Sequence, residues 1–153
     1  MKGFVRSCLA VLAGAFITVT LVAIGEGAGH AVFPPPEGLK FDMNDLASMK
    51  DVMEKIPLGA KVVVVVVWGI ATLVGSWFAT WVAAKLNRRS FKHGIAVGII
   101  IMLATLSTLA MFPHPVWMWI SGIGVVLLGT YIGAMVLGKD RPPGKPVVLE
   151  VLS

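Results

Sequence analysis

Four long apolar blocks, parted by one long polar break and two short ones, set the pattern of the chain. They run over residues 4–32, 58–84, 94–112 and 116–138. A helix needs about 20 apolar residues to cross the hydrocarbon core, so each block is long enough to span a membrane. The run Val62–Val67 is β-branched and would favour a strand in water. Length decides against a strand, because about 27 residues at ~1.5 Å each cover roughly 40 Å as a helix. The first block also has the positive start and small distal residues of a signal peptide, but it is long for the apolar core of one. The pattern therefore predicts an all-α integral membrane protein, a four-transmembrane-helix bundle forming a single membrane domain over 1–153.

The long break, residues 33–57, carries a second pattern. Phe33-Pro34-Pro35-Pro36 makes a stiff extended exit from the first span. Met43, Leu46, Met49, Met53 and Ile56 then recur at spacings of three and four, with polar residues between them. That periodicity predicts a short amphipathic helix over about 42–56, with Asp42 as N-cap and Asp45 in the first turn. Pro57 ends it and can open the next helix. Such a helix lies flat on the lipid interface or closes the mouth of the bundle; the first reading is the simpler.

Small residues recur at helical spacing inside the spans. Ala10 and Gly14 share one face of the first, Gly75, Ala79 and Ala83 form a ridge on the second, and Gly129 and Gly133 a GxxxG pair on the fourth. In lipid such ridges let backbones approach closely, so Gly75, Ala79, Gly129 and Gly133 are expected to face protein. The stretch Gly75–Lys85 aligns without gaps on Gly129–Lys139, and Ala31–Pro36 resembles Ala110–Pro115. Two similar helical hairpins, the first with an inserted loop, would explain both matches, with a pseudo-axis along the membrane normal. Convergence on residues that suit any span is the alternative.

Charge sets the orientation. The net charge is +5, but the basic residues collect at the ends of apolar blocks. Lys85, Arg88, Arg89 and Lys92 sit between the second and third blocks with no acid among them, and Lys139, Arg141 and Lys145 follow the fourth. The lysines of the 33–61 region are diluted by Glu37, Asp42, Asp45, Asp51 and Glu54. The positive-inside rule then places both termini in the cytoplasm and the proline-containing turns outside. Composition agrees with a chain built for lipid: 57% hydrophobic residues and only 14% charged. A basic face interleaved with aromatics is lacking, so nucleic acid is excluded as a partner. The bilayer is the expected partner, together with other membrane proteins or a second copy. Cys8 is the lone cysteine, which rules out an intramolecular disulfide and a cysteine metal cage.

Candidate chemistry gathers at the outer side. Glu26 and His30 lie four positions apart, on one face of the first helix near its end, and His114 lies in the Phe112–Pro115 turn. An ionisable residue inside a span marks a functional position by default. Glu26, His30 and His114 could bind a polar ligand or pass a proton, and a carboxylate with two imidazoles could hold a divalent metal. The simpler alternative is that Glu26 and His30 satisfy each other at a helix end while His114 faces water. Haem is disfavoured, because His93 and His114 fall at opposite membrane faces. A nucleophile elbow and a phosphate loop are both lacking. Gly25, Gly27 and Gly29 are read as close packing.

The motifs Glu26-Gly-x-Gly-His30, Pro34-Pro-Pro-x-Gly38, Pro57-x-Gly59 and Pro113-His-Pro-x-Trp117 resemble those of a group of small four-span bacterial membrane proteins. The resemblance covers about residues 25–138. It implies the four-span architecture and the bacterial plasma membrane, and it attaches no activity. From the residues alone, the first expectation is a non-enzymatic accessory, assembly or structural membrane component. The alternative is a bundle handling a small ligand, proton or metal ion, by transport or membrane enzymology, through the outer Glu/His group. A polar cavity at Glu26 would favour the second, and a lipid-facing groove at Gly129 and Gly133 the first.

Overall fold

Proline punctuates this chain, and the computed structural model, which describes residues 2–34, 45–86 and 91–137, follows the punctuation. Helix α1 spans Lys2–Val32, α2 Leu46–Lys55, α3 Leu58–Lys85, α4 Lys92–Met111 and α5 Val116–Tyr131, and α5 runs on as a π-helical turn over Ile132–Leu137. Pro57 and Pro115 hold the N-cap positions of α3 and α5. The ring fixes φ near its helical value, and the missing N–H costs nothing where the helix would leave it unpaired. Four helices, α1, α3, α4 and α5 with its π turn, are long and apolar enough to cross a membrane. The chain is an all-helical, four-helix membrane bundle.

Helix α3 is the axis of the molecule. It packs against α1, α4, α5 and the π turn, whereas α1 reaches only α3 and α4, and α1 and α5 do not meet. Trp68, Val97, Leu109, Met118 and Val126 fill the core around it. Larger apolar side chains such as Phe4, Phe16, Leu103, Ile120 and Leu127 point outward. An inside-out distribution of this kind fits a lipid solvent, where packing rather than water exclusion holds helices together.

Small residues make that packing possible. A Cβ on Gly129 would lie 2.6 Å from the Gly69 carbonyl oxygen, and one on Gly133 would collide with the Leu73 carbonyl oxygen. Backbone therefore rests on backbone between α5 and α3. Gly75 and Ala79, also buried, face α1 instead: Gly75 abuts Thr18 and the Gly14 carbonyl, and Ala79 abuts Gly14. Thus α3 spends one small face on α1 and another on α5. Hydroxyls inside the bundle are satisfied locally. Thr18, Thr72 and Thr80 each donate to the carbonyl four residues earlier, at 2.9, 2.7 and 3.0 Å. Ser76 Oγ has no partner among the described residues although it is fully buried.

Three expectations need correction. The amphipathic helix begins at Leu46, and its N-cap is Asp45, whose side chain accepts from the Ala47 N–H at 2.9 Å. An acid at the cap satisfies an orphan donor that one in the first turn cannot, which favours the later start. Positions 42–44 lie outside the described residues, as do Pro35, Pro36, Arg88, Arg89 and the tail from 138 onward. The fourth span is not α-helical throughout, because the π turn occupies Ile132–Leu137 while the aligned part of α3 stays α-helical. Nor do the two hairpins make equivalent contacts. A twofold along the membrane normal would match the α3–α4 contact with an α5–α1 contact, and the latter is absent among the described residues.

Candidate functional site

Two glycines one turn apart bring the candidate residues to one place. Gly25 and Gly29 of α1 lie against Val67 and Val63 of α3, where added Cβ atoms would come within 2.6 and 3.0 Å of the valine side chains. Gly27 has open space around it, so of the three alternating glycines only two serve packing. The close approach draws Glu26, which lies between them in sequence, to the flank of α3. There Glu26 Oε1 accepts a 3.0 Å hydrogen bond from the indole Nε1–H of Trp68. Trp68 is buried and Glu26 half-buried. An indole N–H in hydrocarbon must find an acceptor, and a carboxylate there must find donors, so each answers the other's cost.

This pairing replaces the expected one. Glu26 and His30 are not hydrogen bonded to each other, and His30 is exposed. Sequence reasoning missed Trp68, although a signal was present. Like Trp77, it lies well inside an apolar run, remote from the interfacial positions that Trp117 and Trp119 occupy. In an antiparallel hairpin, a residue six positions before the end of α1 comes level with the second or third turn of α3.

His114 is set by its own turn. Its Nδ1 lies 3.1 Å from the Phe112 carbonyl oxygen, which also accepts the His114 backbone N–H at 2.7 Å. A carbonyl can only accept, so Nδ1 carries a proton and Nε2 is the ring atom left free to meet a ligand. The Phe112 ring meets the imidazole edge-on, with centroids 6.1 Å apart, and holds its orientation.

Glu26, His30 and His114 all line one cavity of about 120 Å³. Its walls are mostly apolar, with Phe33, Val64 and Met118 prominent, and Lys61 of α3 is its fourth polar group. Met53 and Ile56 of α2 close it from above. The helix carries no buried residue of its own and stays clear of the bundle at backbone level, so it touches the bundle through side chains alone. Beyond lies an open vestibule of about 340 Å³, lined by Lys50, Glu54 and the Pro113–Val116 turn. Met53, Lys61 and His114 line both chambers and form the waist between them.

Among the described residues no three His, Cys, Asp or Glu side chains come close enough to hold a metal ion. Glu26, His30 and His114 thus share a cavity without forming a ligand cluster. His93, buried at the first turn of α4, lies at the far end of that helix from His114. Comparison with protein-family models, with curated proteins and with solved structures gives no match to this chain.

Proposed function

We propose that this multi-pass membrane protein binds a small ligand in the cavity between α1, α3 and the α4–α5 turn, on the outer face of a bacterial plasma membrane, with α2 as its cover. One observation carries the reading: an acid, a base and two imidazoles from three separate parts of the fold line a single cavity in an otherwise apolar bundle. Bringing ionisable groups against apolar walls is costly unless something satisfies them, and scaffolding alone would not select them. A convergent set of polar groups in an apolar pocket is the ordinary form of a small-molecule site. The outer placement rests on the distribution of Lys and Arg, and the bacterial membrane on the motif resemblance.

A second reading, an accessory or assembly component that docks on partner helices, has less support. Gly129 and Gly133, the ridge best suited to a partner helix, are already spent on α3. Native mass spectrometry of protein extracted with its own lipids tests the proposal. The parent should carry a small-molecule adduct that Ala60→Phe, which fills a buried wall of the cavity, does not. A parent free of adducts, or an adduct that survives the filled cavity, would overturn it.

A further inference from the structure

The cavity holds an acid and a base that do not use each other. Glu26 lines only the inner chamber, and its one hydrogen bond goes to Trp68. Lys61, half-buried at the waist, lines both chambers. Neither is in an ion pair among the described residues; the pair that does form, Lys55 to Asp51 at 2.6 Å, lies on exposed α2. A carboxylate and an ammonium beside apolar walls, each unpaired, leave two unmet demands of opposite sign. Glu26 asks for a donor. Lys61, with three donors and no acceptor, asks for an anion.

From this we infer that the ligand is a small zwitterion: an ammonium group directed at Glu26, an acidic group held by Lys61 at the waist, and an apolar body against Phe33, Val64 and Met118. The inference rests on the reading of the cavity as a ligand site and specifies what that site takes. The inner chamber is small, about 120 Å³, and its apolar wall suits a short apolar body, with the anionic end towards the vestibule. A singly charged ligand would leave either Glu26 or Lys61 without an oppositely charged partner, and the site would bind it less tightly for that reason. Two sources present this chemistry, a free amino acid and the ethanolamine phosphate headgroup of a lipid.

Binding to the full-length protein in detergent decides the matter, read by isothermal titration with four probes. L-Valine stands for the free zwitterion and dihexanoyl phosphatidylethanolamine for the headgroup. Isobutylamine and isovalerate are valine without its acid and without its amine. At least one zwitterion should bind about tenfold or more tightly than both singly charged probes. Whichever of the two zwitterions binds identifies the source. Glu26→Gln should abolish the preference over isovalerate, and Lys61→Gln the preference over isobutylamine, while each variant keeps the parent's thermal unfolding midpoint within a few degrees. A singly charged probe that binds as well as the zwitterions, in a manner lost in Ala60→Phe, would overturn the zwitterion inference and leave the ligand site standing. So would failure of all four probes while the cavity-dependent adduct persists. Failure of the probes together with absence of that adduct would overturn both.

Discussion

At the scale of single residues, the hydrogen bond between Trp68 and Glu26 fixes the site. It crosses from α1 to α3 and joins positions 42 residues apart. Its strength follows from its surroundings, because a hydrogen bond in an apolar medium is stronger than one in water, and its loss leaves a buried group unsatisfied. Trp68→Phe keeps an aromatic ring but removes the donor and shrinks a buried side chain, and it should lower stability by at least about 1–3 kcal/mol. Glu26→Leu should also destabilise, by stranding the indole. The double variant should lose less than the sum of the two, which thermal unfolding of all four proteins in one detergent will measure. Strict additivity would mean that the two side chains do not interact. The acid, the imidazoles and the glycines of this site were legible in the sequence because such residues are conspicuous in an apolar chain. Trp68 was not legible as the acid's partner, because tryptophan is ordinary in membrane proteins and Trp77 lies at comparable depth in the same span. The partner of Glu26 depended on how α1 and α3 lie against each other, which i, i+4 spacing within α1 cannot give. Lys61 escaped for a related reason, since a lysine near a helix start looks like an interfacial anchor until the cavity beside it is seen.

At the scale of elements, length and proline gave the helices away, while their detailed ends followed from capping and packing. The boundaries at Pro57 and Pro115 follow from ring chemistry, so the sequence announces them. The cap at Asp45 could not be told from one at Asp42, because both acids satisfy the same preference. The π turn at Ile132–Leu137 left no readable mark; its residues are as apolar as those before it. The small-residue ridges were legible as ridges, but the partner of each was not, and Gly75 met α1 where Gly129 met α3. These contacts set up a comparison within one protein. Gly129→Ala places a methyl 2.6 Å from the Gly69 carbonyl oxygen, so α5 must move off α3. Overpacking of this kind costs about 1–3 kcal/mol. Gly27→Ala places the same methyl in open space, and it should be neutral or stabilising by up to about 1 kcal/mol, because alanine is the better helix former. Unfolding midpoints that fall for the first and hold for the second will support close α3–α5 backbone contact, and equal behaviour will refute it.

At the scale of the whole molecule, four helices are long and apolar enough to cross a membrane, and the proposed orientation rests on the distribution of charge. Between α3 and α4 the sequence has Lys85, Arg88, Arg89 and Lys92 with no compensating acid. At the other end, the bases of α2 and of the start of α3 stand among acids, and Lys55 is already bound to Asp51. Orientation depends chiefly on Lys and Arg in short loops near span ends, and the α3–α4 connection is such a loop. In the proposed orientation the cavity, the vestibule and α2 would all face outward, where a ligand could reach Lys61 without entering the cell. In a Cys8→Ser background, intact cells treated with a membrane-impermeant maleimide should label Ala47→Cys, which is exposed on α2. They should leave Ser90→Cys unlabelled until the membrane is permeabilised. The reverse pattern would turn the molecule over and place the cavity in the cytoplasm. Labelling at both positions in intact cells would show that the chain inserts in two orientations, which the charge difference between its two ends should prevent.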